Sequence, residues 1–391
     1  MSPRALIVYC GFLLSVSAFS VDITLPFFEV MSRSLGAPMP SIQATVTVYL
    51  ASMAAGQLFF GPLSDRIGRR PAIAAGLACY LAGTMLGLAS SSIGVLLAGR
   101  MLQGFGAAAG PVVGRAIIRD LHSGQALAQN MAIATGIFSV GPIFAPLIGV
   151  AVAGIGGTWR AVFVAMALMA AALMLLLVHA PETLAVRRAD ATEPRRLLVH
   201  ARAVLAHRQS RHFVLLGALA ATGMISIIAG LPVVFEREFG IGGTTFAILF
   251  ALHGLGIVIG QFANHRMIAW IGTVRSAAVA AGVMTSASAL IVGFAWAQRL
   301  DAYGCAFLVF VFATGYLIVV ANATSLTLDP HPSIAGFTSS FFGFFMMAVG
   351  SLAGSLLAMF AAGRLPVWGL GLLAVSAGCL GWLIRWLRTF K

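Results

Sequence analysis

The chain has 391 residues, of which 60% are hydrophobic and only 9% charged, and its mean hydropathy is +0.99. A soluble domain carries about 25% charged residues, so these charges are too few to cover a water-facing surface of this size, and lipid is the solvent for most of the chain. The net charge of +13 suits nucleic acid in the abstract, but its placement along the chain excludes that partner.

Apolar runs of helix-spanning length succeed one another near residues 5–28, 41–62, 71–90, 93–118, 126–154, 158–179, 212–236, 243–264, 275–297, 301–327, 334–361 and 365–387. Alternating strand-length segments are absent, which argues against a membrane barrel. The first run is too long for a signal sequence and shows no small-residue cleavage site before Pro26, so it is expected to stay in the protein. If the chain starts inside, one side of the membrane collects eighteen of the 24 basic residues: Arg4, the group Arg66, Arg69 and Arg70, the pair Arg115 and Arg119, seven arginines from Arg187 to Arg211, Arg266, Arg275, Arg385, Arg388 and Lys391. Arg33, Arg160, Arg237, Arg299 and Arg364 fall on the other side, and Arg100 stays inside a span. By the positive-inside rule both termini are cytoplasmic. The basic excess then serves topology and contact with anionic membrane lipids. Cys10, Cys79, Cys305 and Cys379 lie within apolar stretches without metal-ligand spacing and read as small core residues.

The expected fold is all-α, with twelve transmembrane helices in two pseudo-symmetric six-helix bundles. Residues 1–180 form the first bundle, 181–211 a polar cytoplasmic linker and 212–391 the second bundle. In the linker Leu197, Leu198, Ala201, Val204 and Leu205 share one helical face flanked by Arg195, Arg196, Arg202 and Arg208, the pattern of an amphipathic helix on the inner leaflet; the alternative is a flexible linker. The halves echo each other weakly. Gly61-Pro62-Leu63-Ser64-Asp65 after the second span is matched by Gly260-Gln261-Phe262-Ala263-Asn264, and Leu25-Pro26 by Leu231-Pro232. A two-half repeat places a substrate between the halves near the bilayer midplane.

Asp22 is the acid that lies well inside a span. Burial drives a carboxylate towards its neutral form and a nearby cation opposes this, a balance that lets one group titrate as a cavity opens to each side; the alternative is a cap near the outer helix end. In the loop after span two, Gly61 permits close helix approach, Gly68 a tight turn, and Asp65 can accept backbone N–H groups at a neighbouring helix start. Arg66, Arg69 and Arg70 anchor that loop to the inner surface. Arg100 sits within span four at a cost of about 3 kcal/mol on insertion scales, so it is functional or snorkels to the interface. Span five carries Gly141, Pro142, Pro146 and Gly149, which interrupt helix regularity and allow tight packing. His253 either titrates or is a hydrogen-bonded packing residue. Tyr49, Gln57, Gln103 and Asn322 are candidates to line a cavity, and Phe341, Phe342, Phe344, Phe345, Met346 and Met347 offer an adaptable apolar wall in span eleven.

Gly61-Pro-Leu-Ser-Asp65-Arg66-Ile-Gly68-Arg69-Arg70 resembles the signature loop of the major facilitator superfamily at nearly every position. The resemblance implies a latch on the cytoplasmic side formed by Asp65 and Arg69, with Asp120 similar to its acidic partner and a weaker copy at Asn264. Arg100-x-x-Gln103-Gly104 resembles a second superfamily motif, whose arginine faces the central cavity and influences proton movement. Gly141-Pro142 resembles the antiporter motif, although Val150 stands where a second glycine is usual after Gly149. Asp22-x-x-Leu25-Pro26, Ala145-Pro146-Leu-Ile-Gly149 and Gly114-Arg115-Ala-Ile-Ile-Arg119-Asp120 resemble the Bcr/CflA subgroup of drug:proton antiporters. The resemblance implies proton-coupled multidrug efflux, with antibiotic resistance as its consequence, by a monomer in the bacterial inner membrane. Asp22 and Arg100 would couple protons. Asp22, Tyr49, Arg100, Gln103, His253, Asn322, Phe341 and Phe345 would line the substrate cavity. Ile228 holds the second-half position of Asp22, which confines proton handling to the first half.

A Walker-type ATP site needs Gly-Lys, and the chain's one lysine is Lys391. The spans offer no Ser-His-Asp set or metal-ligand cluster, so neither an enzyme nor a bound cofactor or metal is expected. A receptor or scaffold gives Asp22 and Arg100 no role at lipid depth. Proton-coupled movement of a natural metabolite such as an amino acid, sugar or siderophore, outward or inward, is the rival within transporters.

Overall fold

The computed structural model describes residues 1–389, apart from the side chains of Ala128, Asp190, Pro194 and Ser333. Lys391, counted above among the inner-side cations, lies outside the described residues. No strand occurs among them. The first half holds α1 (Pro3–Asp22), α2 (Phe28–Leu35), α3 (Met39–Ile67), α4 (Arg69–Leu88), α5 (Ile93–Ala107), α6 (Ala109–Leu121), α7 (Gly124–Gly156) and α8 (Ala161–Leu177). Helix α9 (Pro194–Ala206) belongs to the linker. The second half holds α10 (Arg208–Phe239), α11 (Gly243–Ile271), α12 (Thr273–Trp296), α13 (Ala302–Leu328), α14 (Ala335–Ala361) and α15 (Leu365–Thr389).

Two spans are built from paired helices, and proline chemistry explains both breaks. Pro26 has no N–H, and its ring would collide with the carbonyl four residues back, that of Asp22. Helix α1 therefore ends at Asp22, and a 3-10 turn at Leu25–Phe27 leads into α2, so the first span runs Pro3–Leu35. Pro111 stands in the same relation to Ala107, where α5 ends and α6 takes over, so the fourth span runs Ile93–Leu121. Counted this way, eleven described stretches are long and apolar enough to cross a membrane. The twelfth span is α8, whose 17 residues are at the short end of the spanning range. Pro232 in α10 and Pro142 and Pro146 in α7 leave their helices continuous.

With no water to drive apolar surfaces together, helices in lipid associate where small residues let backbones touch. The first half does this between α4 and α5. A Cβ on Gly83 would point into the Gly99 carbonyl and the Gln103 amide, and one on Gly106 into the backbone of Gly76 and Tyr80. The halves meet along two seams. On one, Gly343 of α14 lies against the Gln57 side chain of α3. On the other, Gly254 of α11 packs on Pro142 and Ile143 of α7.

The start of α1 and the last turns of α15 lie at one end of the molecule. The N-terminal ammonium donates to the His179 carbonyl at 2.9 Å, and Trp382 Nε1 near the end of α15 donates to the His212 carbonyl at 3.3 Å. The arginine clusters around residues 66–70, 115–119 and 187–211 share this arginine-rich end. The linker helix forms, and part of its apolar face covers protein while Leu198 is left exposed. Val204 is fully buried, and Ala201 and Leu205 pack against the core. The His200 ring meets Phe337 of α14 at 5.3 Å between centroids. The start of α14 supplies an apolar surface close at hand, and α9 covers it.

The α4–α5 packing yields a test. Gly83→Val forces a branched side chain into the α5 backbone and is expected to destabilise the purified protein by about 2 kcal/mol or more. Gly282→Val in α12, where a Cβ meets nothing within 4 Å, is expected to leave the thermal melting midpoint nearly unchanged.

Candidate functional site

Where α1 breaks, a polar cluster is sealed inside the first half. Asp22 is 3% exposed and Arg100 of α5 is 1% exposed, which excludes snorkelling of Arg100 to the interface. Arg100 Nη1 donates to the Ser20 carbonyl at 2.9 Å and to Gln103 Oε1 at 2.7 Å; Nη2 reaches Thr24 Oγ1 at 3.5 Å. The guanidinium carbon stands 4.8 Å from the centre of the Tyr49 ring, within range of a cation–π interaction. Gln103 is held in turn by Nε2 donating to Thr84 Oγ1 at 2.9 Å and lying 3.4 Å from Met166 Sδ. The Tyr49 hydroxyl donates to the Ser17 carbonyl at 3.1 Å, and the Ser20 and Tyr80 hydroxyls are 2.6 Å apart.

Arg100 thus grips the first span through Ser20 and Thr24, on either side of Asp22, yet forms no ion pair with Asp22 within 4 Å among the described residues. Neutral oxygens and an aromatic face satisfy the cation. None of these contacts of Arg100 involves the Asp22 carboxyl. Ser20, Thr24, Tyr80 and Thr84 join the cluster without having stood out in the sequence. A signal exists for two of them, since Ser20 and Thr24 flank Asp22 two residues away on each side.

The other expected cavity residues do not gather there. His253 is buried beside Phe250, ring centres 4.5 Å apart, with Nδ1 unpartnered, at the α7–α11 seam. Asn322 is committed elsewhere, in a reciprocal amide pair with Asn264 at 3.0 and 3.2 Å that Ser276 joins at 3.3 Å. Phe341 and Phe345 belong to an aromatic row on α14 that begins at Phe337; centroid spacings are 5.7 and 5.2 Å.

The α3–α4 turn carries the densest ionic chemistry. Arg69 Nη1 donates to Asp65 Oδ1 at 2.5 Å and to Ser64 Oγ at 2.8 Å; Nε donates to Asp120 Oδ2 at 2.8 Å, so one guanidinium ties the ends of α3, α4 and α6. Asp65 does not cap the next helix. The Arg69 and Arg70 amides at the start of α4 donate instead to Glu182 of the linker, at 2.9 and 3.1 Å. Gly68, at φ +109°, makes the turn, and a Cβ there would strike Glu182. In the sequence Glu182 is one more loop acid, because a cap supplied from 113 residues away has no local signature. Arg66 lies outside the cluster and donates to Thr192 Oγ1 at 3.0 Å. All three ionic partners belong to the first half. Beside this cluster Gly61 of α3 faces the other half, its Cβ position lying against Ser340 of α14.

In α7 the close packing falls on Gly149 and Pro142 and not on Gly141. A Cβ on Gly141 would enter open space, whereas Gly149 lies against the Ile23 carbonyl, directly after Asp22. Pro142 forms part of the seam with Gly254, and Pro146 sits within the same continuous helix.

Residues 10–355 match the family model of the Major Facilitator Superfamily. A bicyclomycin resistance protein homolog of Haemophilus influenzae is 28% identical over 90% of this chain and 88% of its own. A chloramphenicol resistance protein of Pseudomonas aeruginosa is 30% identical over 93% and 87%. The crystal structure of a D-xylose-proton symporter superposes with a TM-score of 0.78 at 12% identity, covering 97% of each chain, which is a likeness of fold.

The Glu182 cap carries a pH signature. Partial burial works to raise its pKa, but the hydrogen bonds it accepts from the Arg69, Leu184 and Arg70 amides outweigh this and hold it below the ordinary 4.5. A depressed carboxyl contributes stability above its unfolded pKa and loses it as pH falls through the folded value. Glu182→Gln is therefore expected to lower the melting midpoint at pH 7, with the gap to wild type closing as pH falls below about 4.5. A gap independent of pH would show that the carboxylate charge contributes nothing.

Proposed function

The chain belongs to the major facilitator superfamily, and we propose that it exports small amphipathic molecules in exchange for protons, by alternating access between its two halves. The observation that carries this reading is the placement of Asp22. It is a buried carboxyl at a helix break, without a counter-ion among the described residues, and its neighbours in sequence, the Ser20 carbonyl and the Thr24 hydroxyl, help neutral groups satisfy Arg100. In that setting the charged and neutral forms of one acid differ steeply in their interaction with the surroundings. A group of this kind can exchange a proton with whichever side the protein faces.

In the proposed cycle, protonation of Asp22 from the outer side neutralises the cluster and favours substrate release. Deprotonation towards the inner side resets it. Gly149 against Ile23 and Pro142 against Gly254 connect this break to the α7–α11 seam, so that movement at Asp22 bears on how the halves meet. The Arg69 cluster stiffens the rim of the first half, against which α14 closes. The relatives named for resistance to bicyclomycin and chloramphenicol support efflux of drug-like compounds. The arginine bias supports a cytoplasmic arginine-rich end, and the bacterial relatives support the inner membrane as its location.

Two measurements test this. In inside-out vesicles with an imposed pH gradient, wild type is expected to accumulate radiolabelled chloramphenicol. Asp22→Asn is expected to lose gradient-driven accumulation, while retaining its expression and melting behaviour. Accumulation at the wild-type rate would remove Asp22 from the coupling step and leave His253 as the next candidate. For topology, alkaline phosphatase fused after Lys391 is expected to be inactive and green fluorescent protein at the same site fluorescent; an active phosphatase would place the arginine-rich end outside.

A further inference from the structure

Besides the buried cluster, the molecule has a cavity of about 390 Å³ at the arginine-rich end, between the halves and under α9. This size lies within the range of small-molecule sites, roughly 300–1,000 Å³. Its lining is divided. Arg115 and Arg119 enter from α6, Phe337 and Phe341 from α14, and Leu198 and Ala201 from α9, with Arg188 and Arg196 of the linker adding positive charge to the lining. The two arginines are four residues apart and so lie on one helix face, where like charges repel. Neither has an ion pair or a hydrogen bond among the described residues. The acid in the lining, Asp65, is already engaged by Arg69. The Phe337 and Phe341 rings are stacked at 5.7 Å with an interplanar angle of 21°, and Leu198 is left 58% exposed. Two unpaired cations thus share a cavity with an aromatic wall and an uncovered leucine.

We propose that this cavity binds an organic anion with a flat apolar body, its negative group between Arg115 and Arg119 and its body against Phe337 and Phe341. Guanidinium groups form strong charge-assisted hydrogen bonds with such anions, and partial enclosure strengthens them relative to open solvent. The required chemistry is an anionic group on an apolar body. A soluble organic acid supplies it, and so does the headgroup region of an anionic phospholipid. The inference rests on the export reading only for what becomes of the ligand after binding. Binding itself is measured at equilibrium without a proton gradient, so an Asp22→Asn protein that fails to transport is still expected to bind.

The experiment uses the full-length protein in phosphatidylcholine nanodiscs, titrated calorimetrically with 2-naphthalenesulfonate and with the neutral 2-naphthalenesulfonamide. The sulfonate is expected to bind at least about tenfold more tightly, a factor equal to 1.4 kcal/mol. The double variant Arg115→Gln/Arg119→Gln is expected to lose that preference, while Arg275→Gln, remote from the cavity, keeps it. Ala201→Trp fills the cavity from α9 without altering charge and is expected to weaken both compounds, which preserves the test if the arginine variant does not fold. Repeating the titration in phosphatidylglycerol nanodiscs separates the sources. Displacement of the sulfonate identifies the lipid headgroup as occupant, and unchanged affinity identifies a soluble anion. No binding of the sulfonate, equal affinity for the two compounds, or wild-type sulfonate affinity in both the double variant and Ala201→Trp would overturn the proposal.

Discussion

The architecture of the first half depends on how one buried arginine is satisfied. A guanidinium has five donors and cannot shed its charge, so Arg100 at 1% exposure dictates that polar groups from several helices converge on it. The Ser20 carbonyl and Thr24 hydroxyl come from the broken first span, the Gln103 side chain from its own helix, and the Tyr49 ring from α3. Gln103 is fixed by Thr84 of α4 and Met166 of α8. One charge therefore organises five of the six spans of this half. The carbonyl offered by Ser20 lies near the end of α1 because Pro26 ends the helix at Asp22. The proline break and the arginine form one unit: the break leaves the Ser20 carbonyl and the Thr24 hydroxyl, on either side of Asp22 in the chain, as acceptors for the cation.

The two halves share a fold and divide the chemistry. At the arginine-rich end of the first half, Asp65, Arg69 and Asp120 join three helices with charge; in the second half the corresponding helices are joined by Asn264, Ser276 and Asn322 with amide and hydroxyl hydrogen bonds. Buried ions carry desolvation costs that neutral amides avoid, so the second-half junction holds its helices without counter-charges. Ile228 in place of a second acid continues the same division. The buried ionic cluster lies in one half, and the other presents the aromatic row of α14 and the small residues of the seams.

The linker connects these features. Glu182 caps α4 beside the ionic cluster, the Arg188 amide donates to the Asp65 carbonyl at 2.9 Å, and α9 then lies across the cavity and meets α14 through His200 and Phe337. A segment that reads as a polar spacer is attached to the rim of both halves, so rearrangement of either rim acts on it.

Much of this is legible in the residues. Span number, the equal division of spans and the arginine bias follow from composition and periodicity, because lipid tolerates few charges and helices must satisfy their own backbone. Asp22 and Arg100 stand out because an ionised side chain at lipid depth is costly enough to need a use. The signature loop points to Asp65, Arg69 and Asp120 together. Other features are settled only by the fold. Glu182 rather than Asp65 caps α4, Asn322 pairs with Asn264 instead of lining a cavity, and Gly149 rather than Gly141 makes the close approach in α7. The apolar stripe of α9 is the same on a lipid surface as on a protein surface, and its partner is decided by what α14 brings beneath it. The sequence by itself determined which residues must leave water and which charges must be satisfied, since those are properties of single side chains and their local period. Tertiary structure decided which partner each received, since hydrogen bonds and close packing are made between helices far apart in the chain.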